Sequence, residues 1–249
     1  MDDASRRDGR MGDGIKFTYD GKLVRVYPGA AASPVVYLNC FQDPGDQIVQ
    51  LLRQTQAPSC SLVTISNLSW DDDMTPWDCP PLSADDNPCH GKADEYLEWM
   101  LSELVPATDR YLSEKPCYRA LAGYSLAGLF SVYALYRTGA FDRAASMSGS
   151  LWYPDFLEYT RAHKMVRQPS CLYFSLGDRE CRTSHPLLKT VQERTEALAR
   201  DCAAAGIETV FELNPGNHFQ KATRRTVNGL AWMLSHGKGT GSQACAEEA

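Results

Sequence analysis

The residues most able to do chemistry lie around Ser125, in the run Gly123-Tyr124-Ser125-Leu126-Ala127-Gly128 between an apolar segment and a helix-like one. A serine on a sharp strand-to-helix elbow presents its hydroxyl outward, and the strained turn needs small residues two positions away on each side. Gly123 and Ala127 meet that need, although the strict pattern has glycine at 127 and this chain has it one place late, at Gly128. A tight turn that merely contains a serine is the competing reading. A nucleophile also needs a base, and in elbows of this kind the order along the chain is serine, acid, histidine. Of five histidines, His90 precedes the elbow, His163 lies in a helical stretch before the acid, and His185 follows a strand too closely. His236 sits in a glycine-rich tail, which leaves His218 in "NPGNHF". The orienting acid should leave the preceding strand at "SLGDRE", where Asp178 and Glu180 compete. Spacing from Gly177 favours Glu180, and the plain alternative pairs both with Arg179, Arg182 or Lys189 on a wet surface.

Acyl transfer further requires donors for the developing oxyanion. Topology assigns these to the backbone amides of Leu126, just after the serine, and Phe41, in the loop leaving "VVYLN". Trp152 and Tyr153 follow the next strand exit and are expected to line a substrate pocket. Trp77, in a long Asp- and Pro-rich loop over 70–92, is expected to belong to a lid.

These residues are positioned by alternating elements. "IKFTYDG" and "KLVRVYPG" read as a hairpin turning at Asp20-Gly21. From Val35 to Leu234, extended apolar runs alternate with stretches of helical spacing, among them "ADEYLEWMLSELVPATDRYL", in which Pro106 is expected to bend or restart the helix. Such alternation predicts an α/β fold, a mostly parallel central sheet with helices on both faces, with ligands beyond the carboxyl ends of the strands. Those ends carry Asn39–Phe41, Ser125, Asp178–Glu180 and Asn214–His218. Residues 15–235 are read as one domain, 1–14 as a disordered leader and 236–249 as a flexible tail.

A net charge of -6 and a pI near 5.4 argue against nucleic acid or an anionic membrane as partner. No apolar run reaches membrane-spanning length. Nine cysteines, an odd number without a C-x-x-C, read as reduced thiols of a cytoplasmic protein, several of them in strands (Cys40, Cys117, Cys171). Cys79, Cys89 and His90 match no zinc spacing, so no metal is expected. Oligomeric state has no signature in the sequence.

"GYSLAGLFSVYAL", "SGSLWY", "SLGDRE" and "GNHF", with "YLNCF", "TPW" and "ADEYLEWMLSELVP", occur in this order over most of the chain. Together they resemble the esterase D / enterochelin (siderophore) esterase-like branch of the α/β-hydrolase superfamily. The resemblance implies an α/β-hydrolase fold with an N-terminal antiparallel hairpin. It also implies a serine esterase acting on a small-molecule ester without metal or organic cofactor, with Ser125 as nucleophile, His218 as base and the Phe41 and Leu126 amides at the oxyanion. It leaves the acid open, because some siderophore esterases work with a Ser–His dyad, and Asn39-Cys40 stands where Asp-Gly is usual. Asp71, Asp72, Asp73, Asp85 and Asp86 in the long loop disfavour a trianionic siderophore, so a general carboxylic ester is preferred. A trilactone siderophore esterase, an acyltransferase and a non-enzymatic binding module are the alternatives.

Overall fold

The computed structural model describes residues 14–237. The expected leader and tail fall almost wholly outside them. The chain opens on a hairpin of β1 (Ile15–Tyr19) and β2 (Lys22–Tyr27), whose turn places Asp20 at φ 49 and Gly21 at φ 74. Two successive positive φ values are what a two-residue turn needs to match strand twist, and an Asp-Gly pair supplies them cheaply. Then follow β3 (Val35–Asn39), α1 (Gly45–Leu52), β4 (Ser61–Ser66) and α2 (Trp70–Asp73). A two-residue ribbon comes next, β5 (Asp78–Cys79) and β6 (Cys89–His90). After it come α3 (Ala93–Trp99), α4 (Val105–Asp109), β7 (Arg119–Tyr124), α5 (Leu126–Arg137), β8 (Arg143–Met147) and α6 (Phe156–Ala162). The chain closes with β9 (Cys171–Gly177), α7 (Val191–Ala204), β10 (Glu208–Asn214) and α8 (Ala222–Ser235).

Eight strands form one sheet in the order β1-β2-β4-β3-β7-β8-β9-β10. β1, β2 and β4 pair antiparallel, and every pairing from β4 across to β10 is parallel. The central strands β3, β4, β7, β8 and β9 are buried almost throughout, as strands covered on both faces must be. One core packs Tyr37, Leu121 and Phe174 against α3, α5 and α7, and the other packs Leu38, Met147 and Tyr173 against α1 and α8. This is the mixed α/β architecture expected from the alternation.

Three expectations change in detail. The segment from Ala93 to Asp109 is continuous, with a π-helical stretch at Met100–Leu104 between α3 and α4. Pro106 cannot donate to the carbonyl one turn back and its ring crowds that carbonyl, so the backbone widens its turn just before it. The 70–92 loop, which showed no periodicity, contains α2 and the ribbon. Of the cysteines expected in strands, Cys171 lies in β9, while Cys40 follows β3 and Cys117 precedes β7. No helix among the described residues is long and apolar enough to cross a membrane.

Candidate active site

β7 delivers Ser125 into a backbone conformation of φ 61 and ψ -126, from which α5 starts at the next residue. The corner is braced: the Ser125 amide donates to the Met147 carbonyl at 3.1 Å, and the Ser125 carbonyl accepts from Gly128 and Ser150 at 3.0 Å each. A β-carbon on Gly123 would stand 2.3 Å from the backbone carbon of Ala127, so the small-residue requirement is literal contact across the turn. The late glycine has its own reason. A β-carbon at Gly128 would meet Gly149 and Ser146 of the next strand exit at 2.9 Å.

The exits of β9 and β10 bring two groups to that corner. His218 Nε2 lies 3.1 Å from Ser125 Oγ, and His218 Nδ1 lies 2.8 Å from Glu180 Oε2. The turn after β9 folds Glu180 back so that its other oxygen, Oε1, accepts from the Gly177 amide at 2.6 Å and the Ser148 hydroxyl at 2.7 Å. Arg225, one turn into α8, donates to the same oxygen at 2.9 Å. Burial by itself would raise the Glu180 carboxyl. The hydrogen bonds from His218, Gly177 and Ser148 outweigh it and hold Glu180 below the usual carboxylate range. Asp178 does different work, accepting from the Gly216 amide at 2.8 Å and so tying the β9 exit to the loop that carries His218.

Two cavities, of about 710 and 610 Å³, share Phe41, Trp70, Ser125 and His218 in their walls. Phe41 and Trp70 meet edge to face at 5.3 Å. Leu126 joins Phe41 in the 610 Å³ cavity, so the residues that own both expected oxyanion amides stand beside Ser125. Trp152 lines this cavity too. Tyr153 and Trp77 lie behind its wall instead: Tyr153 is fully buried, and Trp77 donates to the Pro154 carbonyl at 3.0 Å while packing on Tyr133, Phe156 and Tyr159. An indole offers more packing area than any other side chain, so Trp77 anchors the base of its loop rather than closing over the cavity. Among the described residues, no three His, Cys, Asp or Glu side chains are grouped to hold a metal.

Sequence reasoning missed Ser148, Arg225, Tyr124 and Phe219 as site residues. Tyr124 donates to the His218 carbonyl at 2.6 Å and accepts from Arg225 at 2.8 Å, which fixes the loop that bears the imidazole. Arg225 left a readable signal: with Gly229 and Met233 it falls on the buried stripe of α8, where a cation requires partners. Ser148 and Phe219 lie inside the runs "SGSLWY" and "GNHF", with nothing in residue type or spacing to single them out there. A hydroxyl within reach of an imidazole whose far nitrogen faces a buried carboxylate is the arrangement that general-base activation of a nucleophile requires.

Residues 23–219 match the Esterase family model (Putative esterase). Among curated relatives, the uncharacterized protein YbbA of Bacillus subtilis (strain 168) is 22% identical over 219 residues, covering 83% of this chain and 88% of that one. An IroE-like serine hydrolase from Shewanella oneidensis superposes with a TM-score of 0.75 at 18% identity, over 90% of this chain and 80% of that one. The siderophore hydrolase EstA from Aspergillus nidulans gives 0.65 at 20% identity, over 89% and 93%. The enterobactin esterase FES from Shigella flexneri gives 0.67 at 17% identity, over 90% of this chain and 59% of that one. The shared fold is that of the α/β-hydrolases.

Proposed function

This chain belongs to the Esterase family and is a carboxylic ester hydrolase; from that premise we propose that Ser125, His218 and Glu180 form its catalytic triad and that neutral esters are its substrates. The observation that carries the reading is the relay of contacts, 3.1 Å from Ser125 Oγ to His218 Nε2 and 2.8 Å from His218 Nδ1 to Glu180. Ser125 Oγ attacks the ester carbonyl carbon while His218 Nε2 takes its proton. Glu180 keeps Nδ1 protonated, orients the ring and stabilises the imidazolium. The carbonyl oxygen, now negative, receives the amides of Leu126 and Phe41, each such donor being worth about 10²–10³ in rate. Collapse expels the alcohol, protonated by His218, and leaves an acyl group on Ser125. Water, deprotonated by the same imidazole, then releases the acid.

Charge around Ser125 selects among esters. Asp71, Asp85 and Asp86 line the cavities around Ser125, and among the described residues no lysine or arginine does. Phe41 and Phe219 stand exposed at the rim and offer apolar surface. Such a wall repels polyanions and accepts neutral acyl and alcohol groups. That favours a simple ester over the ferric trilactone of a siderophore, which is the second reading because siderophore hydrolases share the fold. An odd number of cysteines suits a reducing, cytoplasmic setting.

A fluorophosphonate probe tests the chemistry: it should label wild type at Ser125 and leave Ser125→Ala untouched. Labelling that persists in the variant removes the assignment. Turnover across short- and long-chain nitrophenyl esters, an anionic ester and a ferric trilactone tests the substrate class, and preference for the trilactone would replace it with the second reading.

A further inference from the structure

The ribbon of β5 and β6 sets Cys79 directly opposite Cys89 in antiparallel register. Opposed residues in such a ladder project their side chains on the same face, with α-carbons about 4.5 or 5.5 Å apart, and both spacings fall within the range a disulfide spans. Both are free thiols, Cys79 buried and Cys89 half-buried. Both also line the 610 Å³ cavity that holds Ser125. Between them runs the segment Pro80–Pro88, which contributes Leu82, Asp85 and Asp86 to the cavity wall while every residue in it except Leu82 is exposed.

The mouth of the ribbon is firm and the segment beyond it is weakly tied. Gly91 packs so closely on Trp77 that a β-carbon there would stand 2.3 Å from the Trp77 α-carbon, and Asp72 accepts from the His90 amide at 3.2 Å. Beyond the two cysteines, the segment's side-chain and cross-loop ties are Ser83 to Asp86 within itself, Asn87 to Asp71 at 3.5 Å, His185 to the Leu82 carbonyl at 3.2 Å and the packing of the Leu82 side chain on the core. A covalent link at 79–89 would therefore join the two ends of a segment that has few other ties.

We propose that Cys79 and Cys89 form a reversible disulfide that closes the Pro80–Pro88 segment into a covalent loop at the cavity wall when a low-molecular-weight disulfide of the glutathione class is available as oxidant. The more accessible Cys89 thiolate attacks the oxidant's S–S bond and expels one small thiol. The Cys79 thiolate then attacks the Cys89 sulfur of the mixed disulfide and expels the second. Two cysteine thiols thus give up two protons and two electrons, and one oxidant disulfide becomes two thiols. Burial pushes the Cys89 thiol up to about 11, and burial raises Cys79 as well, so closure is slow at neutral pH and quickens roughly tenfold per pH unit below that value.

The test incubates the full chain with oxidised glutathione at about pH 8.5, then with dithiothreitol, and reads intact mass, peptide map and proteolysis. The expected result is a loss of about 2 Da, a Cys79–Cys89 cross-linked peptide and full reversal by reductant. Cleavage at Asp85 or Asp86 should slow roughly fivefold in the oxidised form, with melting about 5 °C higher. Ser125→Ala should behave identically, so the outcome is independent of the ester chemistry. A glutathione adduct that persists on Cys89, a cross-link to any other cysteine, or cleavage unaffected by oxidation overturns the proposal. The mass of the oxidised wild-type chain is decisive even where Cys79→Ser or Cys89→Ser folds poorly.

Discussion

Arg225 Nη1 and Glu180 Oε1 lie 2.9 Å apart with side chains only 2% and 4% exposed. The carboxylate that faces His218 is therefore itself held by a cation from the last helix. Arg225 also donates to Tyr124 and Ser148, and its second terminal nitrogen reaches the carbonyls of Asn217 and Gln220 at 3.4 Å. One guanidinium thus joins the acid, the strand leading to Ser125 and the loop bearing His218. Its planar fork suits that task where a lysine's single ammonium would not.

Removing this cation should be costly. Arg225→Met strands Glu180 in a buried setting, and breaking one half of such a pair typically costs about 3–5 kcal/mol. Urea denaturation should show that loss, with kcat/KM on a nitrophenyl ester falling in parallel. Adding Glu180→Gln should restore much of the stability but none of the activity. Additive losses in the double variant would mean that the two residues are not coupled.

Acid should weaken the fold through Glu180. Its folded pKa lies below the unfolded carboxyl's value of about 4.3, so its stabilisation is fully present above that value. It is lost as pH falls through the folded pKa. Stability measured from pH 6 down to pH 3 should decline more steeply in wild type than in Glu180→Gln, in which the group no longer titrates. Equal slopes would contradict the depressed pKa.

Ser125 holds a strained backbone for the sake of its side chain. Positive φ at a non-glycine residue costs of the order of 1–3 kcal/mol, part of which glycine relieves. Ser125→Gly should then be inactive yet about 1 kcal/mol more stable than Ser125→Ala, as read by thermal melting. A glycine variant less stable than the alanine one would show that the corner is not strained.

Across the same turn, Gly123→Ala places a methyl group 2.3 Å from the Ala127 backbone. Backbone cannot yield as a side-chain tip can, so the corner must open. We expect a loss of about 3 kcal/mol or more and at least a hundredfold drop in kcat/KM. Near-wild-type melting with intact kinetics would show that the corner tolerates the methyl.

The acidic wall predicts a charge effect that salt can screen. Asp85→Asn with Asp86→Asn should raise kcat/KM for an anionic ester severalfold at low ionic strength while leaving a neutral ester nearly unchanged. At about 1 M salt, where screening acts within about 3 Å, the gain should vanish. A gain for both esters alike would point to a steric cause.

The chain by itself determined what depends on local pattern. Alternating apolar runs and helical spacing marked the α/β architecture, the Asp20-Gly21 turn marked the hairpin, and small residues around Ser125 marked a corner where a serine is presented. The order of strand exits also pointed to His218 as the candidate base and to two residues as the candidate acid. Tertiary structure decided what depends on direction and distance. Asp178 and Glu180 are two residues apart, and only the path of the turn after β9 aims one at Gly216 and the other at His218. Trp77 and Trp152 are alike as residues, yet packing sends one into an aromatic cluster and leaves the other facing the cavity. Arg225 reaches Glu180 across 45 residues, and Cys79 meets Cys89 because a two-residue ribbon sets their register. Periodicity reports which face a residue occupies; which distant partner waits on that face is settled when the whole sheet and its helices close around it.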